Sequence, residues 1–362
     1  MNRETKSAKI AFVGCGGHAT GNLYPAIHTI PEIDLVAVCD QKKELAERNA
    51  RNFGARRLYT DLDAMFKQEK LDGAIVVGPP QMHYEIGKRC LDAGLPIFVE
   101  KPSALTYEAA LELAEYAQKR NLYGAMAFMK RSSTAYRMAK GIASKKEFGR
   151  PTALEVRFCN GRYPAIWGIK EPERAYLIGQ AVHIFDLIRF FGGDVSEIYA
   201  ALNVFQRHKS DNMERANFAY AISVRFKDGA VGVMNMNACQ GPGFQMSEYF
   251  MLAGMECWLE VRDMVELNYH ANSKPMPELI NPLAGYGTMG RAQIFQWRPE
   301  FTEYLGGKAE GTVGYTGELQ NFARKILGLD ELRANLFDGA KALQIAEAIW
   351  ESSQSGKTVK IK

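Results

Sequence analysis

A chain of 362 residues, 47% of them apolar, suits about two domains with substantial cores, which excludes a peptide hormone, a disordered tail and a single small module. Its 45 Lys and Arg against 41 Asp and Glu leave a formal charge of +4 without long runs of one sign, so nucleic acid is not an expected partner. The polar start Met1–Lys9, the lack of an apolar run of about 18 residues, and six scattered cysteines with no C-x-x-C pair predict a soluble cytoplasmic protein. No membrane anchor and no structural metal are expected.

Short apolar runs at Ile10–Val13, Leu35–Cys39, Ala74–Val77, Ile97–Val99 and Tyr123–Phe128 read as strands. Helical stretches alternate with them: Glu44–Asn52 closed by Gly54, His83–Ala93 closed by Gly94, and Tyr107–Lys119 behind the capping candidate Thr106. This βαβ rhythm predicts a Rossmann domain, a doubly wound parallel sheet, over residues 1–128. Beyond it come a helix at Ala135–Ser144, a strand at Thr152–Phe158, an irregular stretch rich in Tyr, Trp and Pro, and an apolar helix over Gly179–Gly193. Strands then follow in series at Glu197–Phe205, Phe218–Phe226, Ala230–Asn237, Ser247–Ala253 and Cys257–Val261, with Asp228-Gly229 as a hairpin turn. Residues 129–362 therefore form an α+β domain around a large, mostly antiparallel open sheet. Asn272–Gly290 reads as a long loop covering a site, and a last helical region runs from about Thr316, through Gly339, to just before Ser355-Gly356.

The first strand leads directly into Val13-Gly14-Cys15-Gly16-Gly17-His18-Ala19 and a helix, the one context in which a G-x-G-x-x-G/A pattern carries weight. Gly14 permits the tight turn, Gly16 lets the backbone approach a pyrophosphate, Gly17 and His18 border it, and Ala19 allows close helix packing. Asp40 ends the second strand, where a carboxylate accepts from ribose hydroxyls and repels a 2′-phosphate. NAD is thus favoured over NADP, although Lys42 and Lys43 offset part of that repulsion.

Val99-Glu100-Lys101-Pro102 sets a cation at the carboxyl end of a parallel strand, the edge where open α/β sheets bind ligands. Together with Gly78-Pro79-Pro80-Gln81-Met82-His83 after the preceding strand, it resembles the Gfo/Idh/MocA family of oxidoreductases, and the resemblance covers nearly the whole chain. The resemblance implies that Lys101 lies beside the nicotinamide and the substrate hydroxyl, with Glu100 in support and Pro79, Pro80 and His83 at the cofactor. In the apolar helix His183 and Asp186 stand at i and i+3 on one face. From the residues alone such a pair reads first as a satisfied structural group; the resemblance makes His183 the catalytic base, with Asp186 beside it. Many family members carry Asp or Asn one turn before this histidine, where this chain has Gly179, and Gln180 cannot supply the charge. Either His183 works with other partners, or the pocket is wider there.

The expected activity is oxidation of a secondary hydroxyl of a sugar, glycoside or cyclitol, first among them C3 of a glucoside, by hydride transfer to NAD. His183 would take the proton and the Lys101 ammonium would stabilise the alkoxide. Arg162, Tyr163, Trp167 and Tyr176 suit a sugar ring or aglycone, or equally a packed domain interface, with Gln180 and Asp186 alongside. Lys130 and Arg131 either reach the cofactor or cap the cleft. The resemblance also implies a homo-oligomer built on the second sheet, and admits a tightly held NAD recycled by a second sugar. Two rivals remain at this point: an NAD-assisted glycosidase, and a non-catalytic sugar or dinucleotide sensor.

Overall fold

The computed structural model describes residues 6–210, 213–241, 246–272, 291–298 and 313–361. Six parallel strands form the first sheet: β1 (Ala8–Val13), β2 (Ile33–Cys39), β3 (Arg57–Tyr59), β4 (Gly73–Val76), β5 (Ile97–Val99) and β6 (Gly124–Met126). Their order is β3-β2-β1-β4-β5-β6. The order reverses between β1 and β4, so a crevice opens beyond the carboxyl ends of those two strands. The covering helices are α1 (Tyr24–Ile27), α2 (Lys43–Phe53), α3 (Leu62–Gln68), α4 (Pro80–Asp92) and α5 (Tyr107–Lys119). Gly54 closes α2 at φ +68, and the Thr106 hydroxyl accepts from Ala109 N at the start of α5. Helix α4 starts at Pro80, ahead of the expected His83, because proline is pre-set for a first helical turn. Strand β3 and helix α3 were not expected: a half-polar Arg-Leu-Tyr is too short to show a period.

The second sheet has ten strands, β7 (Ala153–Asn160), β8 (Tyr163–Pro164), β9 (Val195–Ser210), β10 (Met213–Phe226), β11 (Val231–Asn237), β12 (Met246–Ala253), β13 (Cys257–Arg262), β14 (Glu266–Asn272), β15 (Arg291–Trp297) and β16 (Val359–Lys360). They run β15-β14-β13-β12-β7-β11-β10-β9-β16, with β8 paired to β10. Only β7 and β11 pair in parallel among these described strands. Gly229, at φ +93, turns β10 into β11 as Asp228-Gly229 suggests. Burial alternates along β10 and β11, so one face is packed and the other exposed. The loop expected at Asn272–Gly290 lies outside the described residues, save that Asn272 itself ends β14.

The packed face meets α6 (Thr134–Ala143), α7 (Pro172–Tyr176), a π-helical turn at Leu177–Ala181, α8 (Val182–Gly192) and α10 (Leu336–Ser355), while α9 (Tyr315–Ile326) packs elsewhere. The single last helix expected from the sequence is two, and α10 opens with a capping box between Asn335 and Asp338. One boundary needs correction. Leu319, Phe322 and Ala323 of α9 share a core with Ile10, Phe12 and Phe98, so the chain returns to the first sheet and a single cut at residue 128 does not separate the domains. Gly73 makes room for this, since a Cβ there would lie 2.7 Å from Ile326 and 3.1 Å from Phe322. Among the described residues no helix is long and apolar enough to cross a membrane.

Candidate active site

The dinucleotide cradle begins where β1 ends. Gly14 has φ +103, and a Cβ on it would lie 1.9 Å from the Val77 carbonyl oxygen, so only glycine fits. A Cβ at Gly16 or Gly17 would instead meet nothing within 4 Å: both face open space above the turn. The Asp40 carboxylate holds the turn in shape, accepting from Cys15 N at 2.7 Å and from Lys42 N at 2.9 Å. Asp40, Gly14 and Pro79 line a cleft of about 580 Å³ that also reaches Gln81 and Arg89. An open glycine backbone beside a large cleft with an acid at its far strand fits NAD. Residues Gly14 to Ala19 would hold the pyrophosphate and Asp40 the ribose.

Two residues at the next turn stand differently from expectation. Pro80 is buried as the first residue of α4, where it sets the helix. His83 is 1% exposed, and both ring nitrogens are used by backbone: Nδ1 donates to Pro102 O at 2.8 Å, and Nε2 accepts from Gly78 N at 2.8 Å. Burial drops its pKa to about 4, so the ring is neutral at physiological pH. We therefore correct the assignment of His83 to the cofactor: it is a brace tying the loop after β4 to the loop after β5.

That brace fixes Glu100 and Lys101. The buried Glu100 carboxylate accepts from Lys101 N at 2.7 Å and from His18 Nε2 at 3.1 Å, while His18 Nδ1 accepts from Asn22. Burial pushes the Glu100 carboxyl up, but the His18 hydrogen bond and the Lys101 charge outweigh it and hold it below its usual value. The Lys101 ammonium donates to the Gly179 carbonyl oxygen at 3.1 Å, one helical turn before His183. His183 is 5% exposed, and its Nδ1 is buried with no partner. Burial first, then the charges of Lys101 and Lys130, hold its pKa well below the ordinary 6.5.

Gly179 does not widen the pocket. A Cβ there would lie 2.5 Å from the Tyr163 hydroxyl and 3.0 Å from the Trp167 ring, so two aromatic side chains fill the space beside this glycine. Trp167 sits at φ +56, a conformation costing a non-glycine residue on the order of 1–3 kcal/mol, and its carbonyl accepts from Gln81 Nε2 at 3.3 Å. Gln180 contacts the Met246 sulfur, Arg162 donates to His208 Nδ1, and the buried Tyr176 donates to the Phe158 carbonyl within the core.

Asp186, expected at the substrate, is fully buried, and Arg131 occupies both its oxygens at 2.5 and 2.8 Å. Arg131 also donates to Arg333 O and pairs with Asp338. Lys130 is equally enclosed, paired with Glu248, which also accepts from the Tyr136 hydroxyl. Burial and the nearby Lys101 charge pull Lys130 down to about 7. Neither Lys130 nor Arg131 is free to reach a cofactor; they clamp the chain after β6 to β12, α8 and α10.

Ser103, Asn160 and Glu318, none of them singled out by the sequence, also carry buried side-chain atoms without partners. Both side-chain atoms of Asn160, which ends β7 opposite Met246, and both carboxyl oxygens of Glu318 on α9 lack a hydrogen bond. No local motif marks any of the three; only the assembled fold leaves them unpaired.

A Rossmann sheet with its glycine cradle, feeding a strand-end lysine into a cleft closed by a second, sheet-based domain, defines an NAD-dependent oxidoreductase. The chain belongs to the GFO/IDH/MocA family: the oxidoreductase family's NAD-binding Rossmann model matches residues 8–128, and the GFO/IDH/MocA C-terminal domain matches residues 136–260. It is 22% identical over 359 residues to inositol 2-dehydrogenase 2 of Saccharopolyspora erythraea, covering 98% of this chain and 95% of that one. It is 33% identical over 111 residues to D-glucoside 3-dehydrogenase of Escherichia coli, covering 31% and 32%. Other curated relatives are matched over about half their length. A dehydrogenase structure from Chromobacterium violaceum shares the fold, with a TM-score of 0.80 at 22% identity over 97% of this chain and 96% of that one.

Proposed function

We propose that the protein oxidises a secondary hydroxyl of a sugar, glycoside or cyclitol, transferring the hydride to NAD. The observation that carries this reading is the 3.1 Å contact between Lys101 Nζ and Gly179 O, which joins the end of β5 to the turn leading into His183. Bound NAD supplies the hydride acceptor. The Lys101 ammonium stabilises the alkoxide as the hydroxyl proton leaves. His183 is held neutral by burial and by Lys101 and Lys130, and its ring is the base that accepts that proton. Trp167 and Tyr163 offer an aromatic wall beside this point, suited to the apolar face of a pyranose ring. C3 of a glucoside is our first choice of reacting carbon, supported by the likeness to D-glucoside 3-dehydrogenase.

We also propose a homo-oligomer built on the outer face of the second sheet, where Tyr199, Val231 and Val233 are 44%, 46% and 55% exposed. A panel of glucosides and inositols, followed at the reduced-nicotinamide absorbance band, tests the activity. Lys101→Met and His183→Gln should each lower the rate of NADH formation by about 100-fold or more; full turnover by either variant removes the assignment.

A further inference from the structure

Two side chains at the ends of β4 and β5 reach across to the aromatic wall. Lys101 Nζ donates to Gly179 O at 3.1 Å, as used above, and Gln81 Nε2 donates to Trp167 O at 3.3 Å, a contact to which the functional reading gives no role. Gln81 is the second residue of α4, and its backbone is firmly placed. His83 ties this turn to Gly78 N and Pro102 O, and Met82 lies so close beneath the loop that it leaves no room for a Cβ on Gly78. The Gln81 side chain, by contrast, is exposed, and it forms part of the wall of the cleft of about 580 Å³ that Gly14 and Asp40 also line. Its partner ends a strained segment. Tyr163 and Pro164 pair with Ala216 and Arg215 of β10, and Ala165 N donates to Glu214 O at 2.7 Å, so the segment is anchored on the second sheet up to that point. Beyond it Trp167 and Gly168 take φ +56 and +82 in succession, and the half-buried Trp167 ring covers Gly179, whose carbonyl holds Lys101. Gln81 thus belongs to the dinucleotide cleft and grips the aromatic wall at once.

Magnitudes decide what such a contact can do. Fixing an exposed glutamine side chain costs about tenfold or more in population, and one neutral hydrogen bond returns about tenfold at most. Alone, the contact cannot also hold a tryptophan in a left-handed conformation, which is disfavoured by a further factor of about five or more. A dinucleotide filling the cleft takes away most of the freedom of the Gln81 side chain, so the ordering cost is met before the wall is set, and the two sites gain positive coupling without any change of fold. We propose that Gln81 is a positioning residue that couples the two sites: with the dinucleotide cleft filled, its amide holds the Trp167 carbonyl and keeps the aromatic wall against Gly179, so the wall is ordered by the cofactor before the sugar arrives. This rests on the reading that makes Tyr163 and Trp167 the wall of the sugar site.

The test is hydrogen–deuterium exchange of the full chain, read by mass spectrometry in two peptides, with and without saturating ADP-ribose, which has no nicotinamide and so allows no redox step. One peptide spans residues 14–19 and reports the cradle; the other spans residues 165–169 and reports the wall. In wild type ADP-ribose should slow exchange in both, by about tenfold in the wall peptide, the worth of one hydrogen bond made secure. Gln81→Glu keeps the shape but has no N–H to donate, so the cradle should still slow and the wall should not. Gln81→Lys restores a donor and should recover slowing of the wall. Equal slowing of the wall in Gln81→Glu and wild type overturns the proposal, as does a wild-type chain in which the cradle slows and the wall does not. A cradle left unprotected in wild type would remove the cleft's assignment, and the coupling with it. None of these readouts uses a sugar: a chain that shows the expected exchange pattern yet oxidises no polyol would sink the functional reading alone.

Discussion

His83 and His183 are both buried and both held neutral, yet they stand in opposite kinds of surroundings. Around His83 the ring joins Gly78 N to Pro102 O and the neighbouring Glu100 carboxylate is filled by His18 and Lys101 N, with the buried Ser103 hydroxyl left unpaired beside them. His183 Nδ1, both Glu318 oxygens and the Asn160 amide, by contrast, are buried and unpaired. An unsatisfied buried group costs about 1–3 kcal/mol, so the two histidines differ in what burial costs: the His83 ring has both nitrogens paired, and His183 has not. On the function proposed above, the first sets geometry and the second does chemistry.

The sharpest way to break this contrast is to exchange each histidine for glutamine. His183→Gln should lower kcat by about 10²–10⁴-fold, the range for a lost general base, with little change in unfolding free energy. His83→Gln should do the reverse, lowering stability while the kcat of the folded fraction falls less. Equal kinetic losses in the two variants would erase the distinction between brace and base.

Next in size is the clamp under the helix that carries His183. Asp186→Ala leaves Arg131 buried without its bidentate partner, which should cost about 3–5 kcal/mol in a denaturant titration. A loss below about 1 kcal/mol would mean that Asp338 and Arg333 O suffice to hold the guanidinium, and would return Asp186 to the substrate side.

The pH dependence of stability follows from His83 and has a definite sign. Above 6.5 the ring is neutral in both states. As pH falls below 6.5 the unfolded chain takes up a proton, which the folded ring accepts only near 4, so stability drops across that window by on the order of 3 kcal/mol. His183 adds to the same window in the same direction. Stability curves from pH 7 to 4 should be flatter in His83→Gln than in wild type; superimposable slopes would contradict a neutral brace.

Much of this molecule is legible in the chain itself. The glycine cradle, the strand-end Lys101 and the apolar helix carrying His183 announce themselves because each depends on a local pattern: a tight turn, a βα junction, a buried run. What escapes is what only the tertiary structure decides. His83 follows Pro79-Pro80 and so looks like a cofactor contact, but nothing in its neighbours tells that its ring turns inward to Gly78 and Pro102. Asp186 reads as a companion of His183, whereas Arg131, far away in sequence, claims both its oxygens. The return of α9 to the first sheet, and with it Glu318, has no local signature. Gly179 reads as a gap one turn before His183, until Tyr163 and Trp167 are seen to fill it.

That last point yields the smallest but most diagnostic effect. Inside a helix, Gly→Ala should stabilise by about 0.5–1 kcal/mol. At Gly179 the new methyl would lie 2.5 Å from the Tyr163 hydroxyl and 3.0 Å from the Trp167 ring, and it would strain the carbonyl that holds Lys101. Gly179→Ala should therefore lower kcat/KM by about tenfold despite its better propensity. Removing the hydroxyl with Tyr163→Phe relieves the nearer contact, so the same substitution should cost less in that background, with a coupling energy of about 1 kcal/mol, typical of side chains in contact. Additive effects would show that the aromatic pair is not what excludes a side chain at position 179, and the wall assigned to the sugar ring would have to be sought elsewhere in the cleft.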